Sequence, residues 1–227
     1  MATYQAPEYH PAFEEYCEAI YELHEDEVEV IQARIAERLE VSRPAVSEMI
    51  HRMQKEGLVE IDRTIRLTEY GHRLAETVVR RHRLAERFLT DILHLPWADA
   101  HAEAGKWEHI ISPAVEEAMN RLLGEPTTCP HGNPIPGSAY EVHPDTTTLD
   151  TIAVGGQFTV RRITEELEFT EGLLDFLEES DMRPGEVGTV TAISPDGTTT
   201  VEIKGRHVGI GSFIGARILV TPGAAAA

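Results

Sequence analysis

IQARIAERLEVSRPAVSEMIHRMQKEGLVEIDRTIRLT, residues 31–68, carries two helical periodicities followed by two alternating ones. Ile31, Ile35 and Leu39, then Val46, Ile50 and Met53, recur at three- and four-residue intervals, so each segment gathers its apolar side chains on one helical face. Ser42 suits the N-cap of the second helix because its hydroxyl can accept from an otherwise unpaired backbone N–H. Pro44 fits the first turn, where no N–H is needed. Gly57 ends that helix. LVEID and TIRLT then alternate apolar and polar residues as half-buried strands do, with a tight turn at Asp62 and Arg63. Two helices followed by a hairpin make a winged helix-turn-helix.

Working outward, Phe13, Tyr16, Cys17, Ile20 and Leu23 predict a helix over Ala12 to Leu23. Glu69 to about Thr90 is strongly helical, and beyond the break at Pro96 further helices are expected from about Ala98 to Ile111 and from Pro113 to Leu123. GEPTTCPHGNPIPG, residues 124–137, holds too much Pro and Gly for regular structure and reads as a compact loop, and Ser138 to Asp150 as a linker. GQFTVRRIT, GEVGTVTAISPDG, TTTVEIKG and ARILV are short apolar stretches between Gly-rich turns, the pattern of a small SH3-like barrel. The expected fold is mainly α with small β parts: a winged helix-turn-helix over 1–76, a helical domain over 77–142 and an SH3-like β-barrel over 150–222. The AAAA tail is expected to be disordered.

The 227 residues carry a formal charge of −19, which argues against general affinity for nucleic acid. The charge is segregated, however. Ile31 to Thr90 holds 12 Lys/Arg against 9 Asp/Glu, whereas the rest holds 8 against 30. A basic module on an acidic body suits a DNA binder whose other parts collect cations. No apolar run approaches the roughly 20 residues that cross a bilayer, and the acidic start lacks an apolar leader, so a cytoplasmic protein without a membrane partner is expected. Cys17 and Cys129 read as reduced thiols. Neither a P-loop, a dinucleotide fingerprint nor a convincing catalytic triad is present, so neither an enzyme nor a small-molecule substrate is expected.

The start of the second helix, SRPAVSEM, offers the small polar Ser42 and Ser47, with Pro44 between them, to a major groove. Arg43 is placed to meet a base edge or a phosphate. Arg34, Arg52, Lys55 and Arg63 are expected on the phosphate backbone, where they set register without reading sequence.

Within RRHRLAERF, His82 and Glu86 stand four residues apart and share a helical face, so that imidazole and carboxylate can converge on one ion. HAEAGKWEH repeats the device with His101, Gly105, Glu108 and His109. On the first helix Glu15, Glu18 and Glu22 share one side. They supply hard oxygen donors of the kind Mn(II) prefers if that helix packs beside the other two.

These blocks, IYEL, ARIAERLEVSRPAVSEMIHRM, RRHRLAERFLTDIL, HAEAGKWEH, GNPIPG and RRITEELEF, resemble the diphtheria toxin repressor family of iron- and manganese-dependent repressors over nearly the whole chain. The resemblance implies a DNA-binding domain, a helical dimerisation domain and an SH3-like third domain. It also implies a homodimer on palindromic operator DNA that represses metal-uptake genes when metal is replete. It places an ancillary metal site at His82, Glu86 and His101, completed by Glu165 and Glu168, and a primary site at Glu108 and His109 with a donor from the first helix. That donor is Met in iron-sensing members and Glu15 here, and Glu18 matches an acidic ligand of manganese-sensing relatives. Mn(II) is therefore the expected effector, with Fe(II) as the alternative. Gly105 stands where the family places a Cys or Glu ligand, leaving Glu18, a water or the Gly105 carbonyl to fill the place. Two rivals are a metalloenzyme that uses the His/Glu stripes to activate water and a repressor answering to an organic ligand.

Overall fold

The computed structural model describes residues 11–223. The acidic start and the AAAA tail fall largely outside them. The first unit opens with α1 (Pro11–Glu25), α2 (Gln32–Arg38) and α3 (Arg43–Lys55), followed by β1 (Val59–Ile61) and β2 (Ile65–Leu67). Ser42 caps α3 as its chemistry predicts, its hydroxyl accepting from the Ala45 N–H at 3.4 Å, with Pro44 in the first turn. The apolar stripe of α3, Val46, Ile50 and Met53, is fully buried against Ile35 of α2 and Ile20 of α1. The strands pair antiparallel, Val59 with Leu67 and Ile61 with Ile65, around the expected turn. This is a winged helix-turn-helix.

In the second unit, Thr68 caps the long α4 (Glu69–Asp91), its hydroxyl accepting from the Gly71 N–H at 3.1 Å. α5 (Trp97–Trp107) and α6 (Pro113–Leu122) pack against it around Leu84, Leu89, Ala100, Ala104 and Ile135. α5 stops four residues short of the expected Ile111. The reason lies just beyond: Ser112 must be extended before Pro113 and caps α6, with ψ 155°, so residues 108–111 turn instead of continuing the helix.

The third unit is a six-stranded antiparallel sheet, among the described residues, in the order β3-β8-β4-β5-β6-β7. Its strands are β3 (Thr147–Thr148), β4 (Gln157–Ile163), β5 (Val187–Ile193), β6 (Thr199–Ile203), β7 (Arg206–Ile210) and β8 (Ile218–Pro222). Bulges after Val160 and Val190 bend the central strands, as closing a small SH3-like sheet requires. Three features depart from the sequence expectation. The stretch read as a linker contributes β3, which pairs with β8. Arg206–Ile210 is a strand. Between β4 and β5 the chain forms two short helices, α7 (Glu165–Glu168) and α8 (Leu173–Glu179), whose Leu167, Leu173, Leu174 and Leu177 cover the barrel core. A last turn, α9 (Ser212–Gly215), leads into β8.

The units are joined by packing as well as by chain. Trp97, at the start of α5, is 2% exposed and belongs to the core of the third unit, with Phe158, Leu174 and Leu177. Its backbone N–H donates to Glu178 at 2.8 Å. Burying such a ring contributes on the order of 2–3 kcal/mol. On the other side, Arg162 of β4 pairs with Glu25 and Asp26 at the end of α1 and donates to Asn133 in the 124–137 loop.

Candidate metal centre and DNA-reading face

α4 is the spine of the centre. His82 and Glu86, one turn apart, both face inward and are 7% and 1% exposed. Across from them α5 presents His101. The turn after α5 presents Glu108 and His109, α1 presents Glu14, Glu18 and Glu22, and α7 presents Glu165 and Glu168. His82 Nδ1 lies 2.5 Å from Glu108 Oε2 and 4.0 Å from Glu18 Oε1. Its Nε2 lies 3.3 Å from Glu86 Oε1. His101 Nδ1 lies 2.9 Å from the same Glu86 oxygen and 3.3 Å from Glu168 Oε2. Ligand atoms of Glu18, His82 and Glu108 gather within 4.8 Å of one another, and so do those of His82, Glu86 and His101.

A third grouping on that scale was not anticipated from the sequence: Glu86, Cys129 and His131. His131 is 1% exposed, with Nδ1 2.8 Å from Glu168 Oε2 and 3.6 Å from Glu86 Oε1, and Trp97 packs edge-on against its ring at 4.7 Å. The backbone places it there. Gly132, at φ +94°, lies so close to β4 that a Cβ would stand 2.2 Å from the Arg161 carbonyl, so only glycine lets the loop seat His131 against the barrel. Cys129 is free and fully buried, in keeping with the reading of both cysteines as reduced thiols. The available signal was the C-P-H order inside the Pro-rich loop, a thiol and an imidazole two residues apart.

Electrostatically the centre is a buried alternation of acid and imidazole. Burial pushes the Glu18 carboxyl well above its ordinary range, and Glu108 beside it pushes the same way. Burial likewise raises Glu22 to about 8, helped by Glu165 and opposed by Arg38. Burial works against a charged His82, but Glu86 and Glu108 outweigh it and hold the imidazole pKa well above the usual value. For His101, burial is overcome by hydrogen bonds to Glu168 and Glu86, which lift it to about 10. Burial also opposes ionisation of Glu86, yet the flanking His131 and His82 keep that carboxyl well below its usual range. Protons thus balance the centre where a cation is not bound.

The donors suit a small divalent cation. Bonds of about 2.1 Å place the donors of one ion roughly 3 to 4 Å apart, and the donor atoms of each grouping here lie within 4.8 Å of one another. Glu18 Oε1, Glu165 Oε2 and His131 Nε2 are buried and make no hydrogen bond. Buried polar atoms are rarely left without partners, so these three, set among carboxylates and imidazoles, fit a cation-binding role. A cavity of about 240 Å³ beside them is lined by Glu15, Glu18, Glu22, His82, His101 and Glu108. Gly105 opens it, since a Cβ there would meet nothing within 4 Å.

The expected ligands do not all take equivalent places. Glu18, His82, Glu86, His101, Glu108 and Glu168 converge. Glu165 is buried in the same centre, but its Oε1 pairs with Arg83 Nη2 at 2.7 Å. His109 borders Glu108 at 3.2 Å, yet it donates through Nδ1 to Glu14 at 2.7 Å. Glu15 is half exposed, 4.0 Å from His109 Nε2. Glu14, hidden on the apolar side of α1 between Phe13 and Cys17, was not expected at the site.

On the opposite side of the first unit, Ser42, Arg43 and Pro44 are exposed at the start of α3, with Ser47 half-buried one turn on. Arg34, Arg52, Lys55 and Arg63 are exposed too, Arg34 pairing with Glu37 at 2.9 Å and Arg52 lying over the Phe13 ring. Among the described residues, the start of α3 and the β1–β2 turn are exposed, as a groove-entering helix and its wing must be.

Comparison with known proteins reaches all three units. Residues 9–64 match the iron-dependent repressor N-terminal DNA-binding domain, 68–137 the iron-dependent repressor metal-binding and dimerisation domain, and 147–222 the FeoA domain. The chain is 40% identical over 206 residues to the iron-dependent repressor IdeR of Mycobacterium tuberculosis (strain ATCC 25618 / H37Rv), covering 86% of this chain and 89% of that one. It is 37% identical to the diphtheria toxin repressor of Corynebacterium diphtheriae, covering 86% and 90%. Among solved structures, a manganese-dependent transcriptional repressor in complex with manganese superposes with a TM-score of 0.81 at 30% identity over 92% of this chain and 99% of that one. IdeR of T. acidophilum gives 0.75 at 30% identity, over 92% and 96%. A reading unit, a helical unit and a barrel that each match their counterparts, in order and over most of the chain, place this protein in the iron-dependent repressor family, that of the diphtheria toxin repressor, whose members are metal-dependent DNA-binding transcriptional repressors and not enzymes.

Proposed function

We propose that this protein is a Mn(II)-responsive repressor that binds operator DNA as a homodimer and controls genes of metal uptake. The observation that carries the choice of metal is the donor set at Glu18, His82 and Glu108: two carboxylates and an imidazole, with no sulfur. Hard oxygen donors with imidazole suit Mn(II), whereas a thioether would favour softer ions. Fe(II) is the second reading, supported by the Cys129 thiol in the neighbouring grouping and by the iron-dependent relatives named above.

Divalent cations held at an ancillary site by His82, Glu86 and His101, with Glu165 and Glu168, and at a primary site by Glu108 and Glu18, with His109 and Glu15 beside them, would supply the positive charge that protons supply in their absence. The chain's own residues do the rest. Glu18 belongs to the helix that packs beneath α3, so the position of its carboxylate fixes α1 against α4 and with it the pose of the reading head. Arg43, Ser42, Pro44 and Ser47 then enter a major groove while Arg34, Arg52, Lys55 and Arg63 meet phosphates. Ile92, Leu93, Ile110, Val115 and Leu122, apolar and exposed around α4, α5 and α6, are the surface on which we place the second copy. Differential affinity of the ion for the clamped arrangement shifts the population toward it.

The test is a titration of duplex binding with Mn(II) and Fe(II), using the intact protein and its Glu15→Ala, His82→Ala and Glu165→Ala variants. Mn(II) is expected to tighten binding by more than about 30-fold, a coupling of roughly 2 kcal/mol, with His82→Ala losing most of the gain. Equal duplex affinity with and without either metal would refute this reading. Activation by Fe(II) alone would move the assignment to iron.

A further inference from the structure

Arg38 closes α2, the first helix of the helix-turn-helix, yet its guanidinium turns away from the DNA-reading face. Its side chain is 6% exposed, whereas Arg34, one turn earlier, is 52% exposed. Three groups hold it. Nη2 lies 3.1 Å from Glu22 Oε2 of α1. Nη1 donates to the Glu165 carbonyl at 3.1 Å, and the guanidinium carbon stands 4.0 Å from the centre of the Phe169 ring.

The last two contacts belong to a single turn of chain, residues 165–169, that has two sides. Toward the centre it sends the Glu165 and Glu168 carboxylates, one to Arg83 and the other to His101 and His131. Toward α2 it sends a main-chain carbonyl, and the Phe169 ring lies between Arg38 and His101, its centre 5.2 Å from that of the imidazole. Wherever the carboxylates settle, the carbonyl and ring must follow, because α7 is only four residues long. The other main link between first and third units, Arg162 with Glu25 and Asp26, grips the end of α1 and touches neither α2 nor α3. Arg38 is also incompletely satisfied: its Nε is buried without a hydrogen bond, and its Nη2 is held by the Glu22 ion pair alone. A guanidinium buried on so few contacts stays in place only while Glu22 and the turn do.

We infer that Arg38 is a positioning residue that passes the state of the 165–169 turn to the helix-turn-helix, so that the barrel takes part in setting the pose of α2. This rests on the metal-responsive reading above. It differs from a packing role, which would weaken duplex binding equally with and without metal. A coupling role weakens only the gain that metal confers.

The experiment uses the full chain as wild type, Arg38→Gln and Phe169→Ala, with a duplex selected from a random-sequence pool by the wild type in Mn(II). Duplex affinity is read by fluorescence anisotropy with and without saturating Mn(II), and Mn(II) affinity by paramagnetic resonance with and without duplex. Arg38→Gln is expected to leave metal-free duplex binding and DNA-free Mn(II) binding within about 3-fold of wild type while cutting the Mn(II)-induced gain about tenfold. By reciprocity, the duplex-induced tightening of Mn(II) falls by the same factor. Phe169→Ala, at a residue 51% exposed, loses the ring without opening a core and is expected to lose about 3-fold of the gain. Its DNA-free Mn(II) affinity, read in the same experiment, separates loss of the His101 contact from loss of the Arg38 one, and it carries the test alone if Arg38→Gln does not fold. An undiminished gain in the folded variants, or an equal loss with and without metal, overturns the inference and leaves the metal-responsive reading standing. A wild type that shows no gain overturns both.

Discussion

The reading head and the centre behind it are built from opposite materials. Beneath α3 the buried residues are Val46, Ile50, Met53, Ile35 and Leu58, all apolar, and the charged residues of α3 lie outside. Behind it, Glu14, Glu22, His82, Arg83, Glu86, Glu108, Glu165 and Glu168 are as deeply buried, and their charges are balanced by one another and by neighbours such as Arg38, Glu25, His101 and His131. An apolar core is stable whatever the solution contains. A buried acid and imidazole lattice depends on which positive charge fills it, proton or metal. The first region is therefore fit to be a rigid tool and the second to be its control.

The largest effect that sharpens this contrast is expected in the apolar half. Ile50→Ala, at a fully buried position, should cost about 2–5 kcal/mol in denaturant unfolding of the metal-free protein. Were stability unchanged and only metal response lost, the contrast would break. Next comes Glu86→Gln, which removes the carboxylate shared by two ligand groupings. Mn(II) affinity read by calorimetry should fall at least about 100-fold. Acidity gives the third effect. His101, raised to about 10, and His82, held well above its usual value, carry protons in the metal-free protein near neutrality, and a coordinating imidazole must lose its proton. Mn(II) affinity should thus rise with pH, by about tenfold per unit for each proton displaced below the raised pKa. Calorimetry in two buffers of different ionisation heat counts those protons, and affinity that is flat between pH 6.5 and 7.5 contradicts the proton-balanced centre. The smallest effect is Ser42→Ala, expected to cost about 1 kcal/mol of thermal stability through loss of the α3 cap.

The same contrast explains what could be read from the sequence. Periodicity reports burial of apolar side chains, so α1 to α4 and the wing were legible residue by residue. The α4 pair at His82 and Glu86 was legible because four residues make one helical turn. Glu14 was not, since it lies on the apolar side of α1, where a pattern argument expects no carboxylate. Nor were Cys129 and His131, which reach the centre through an irregular loop whose path depends on Gly132 and on a strand 30 residues away. Glu108 was expected on the α5 stripe, yet it reaches His82 from the turn that Pro113 imposes. Short α7 lacks the length for a periodic signature, and Leu167 is its only apolar side chain in the core.

Trp97 gives the architecture a further property. Because α5 of the helical domain begins with a side chain lodged in the barrel, and Arg162 fastens the barrel from the other side, the peptide between residues 138 and 146 is redundant as a tether. A molecule nicked there by a protease should elute from a sizing column as one particle, its two fragments separating only in denaturant. Insertions in that stretch should then be tolerated, leaving natural relatives free to vary its length without redesigning how the pieces assemble.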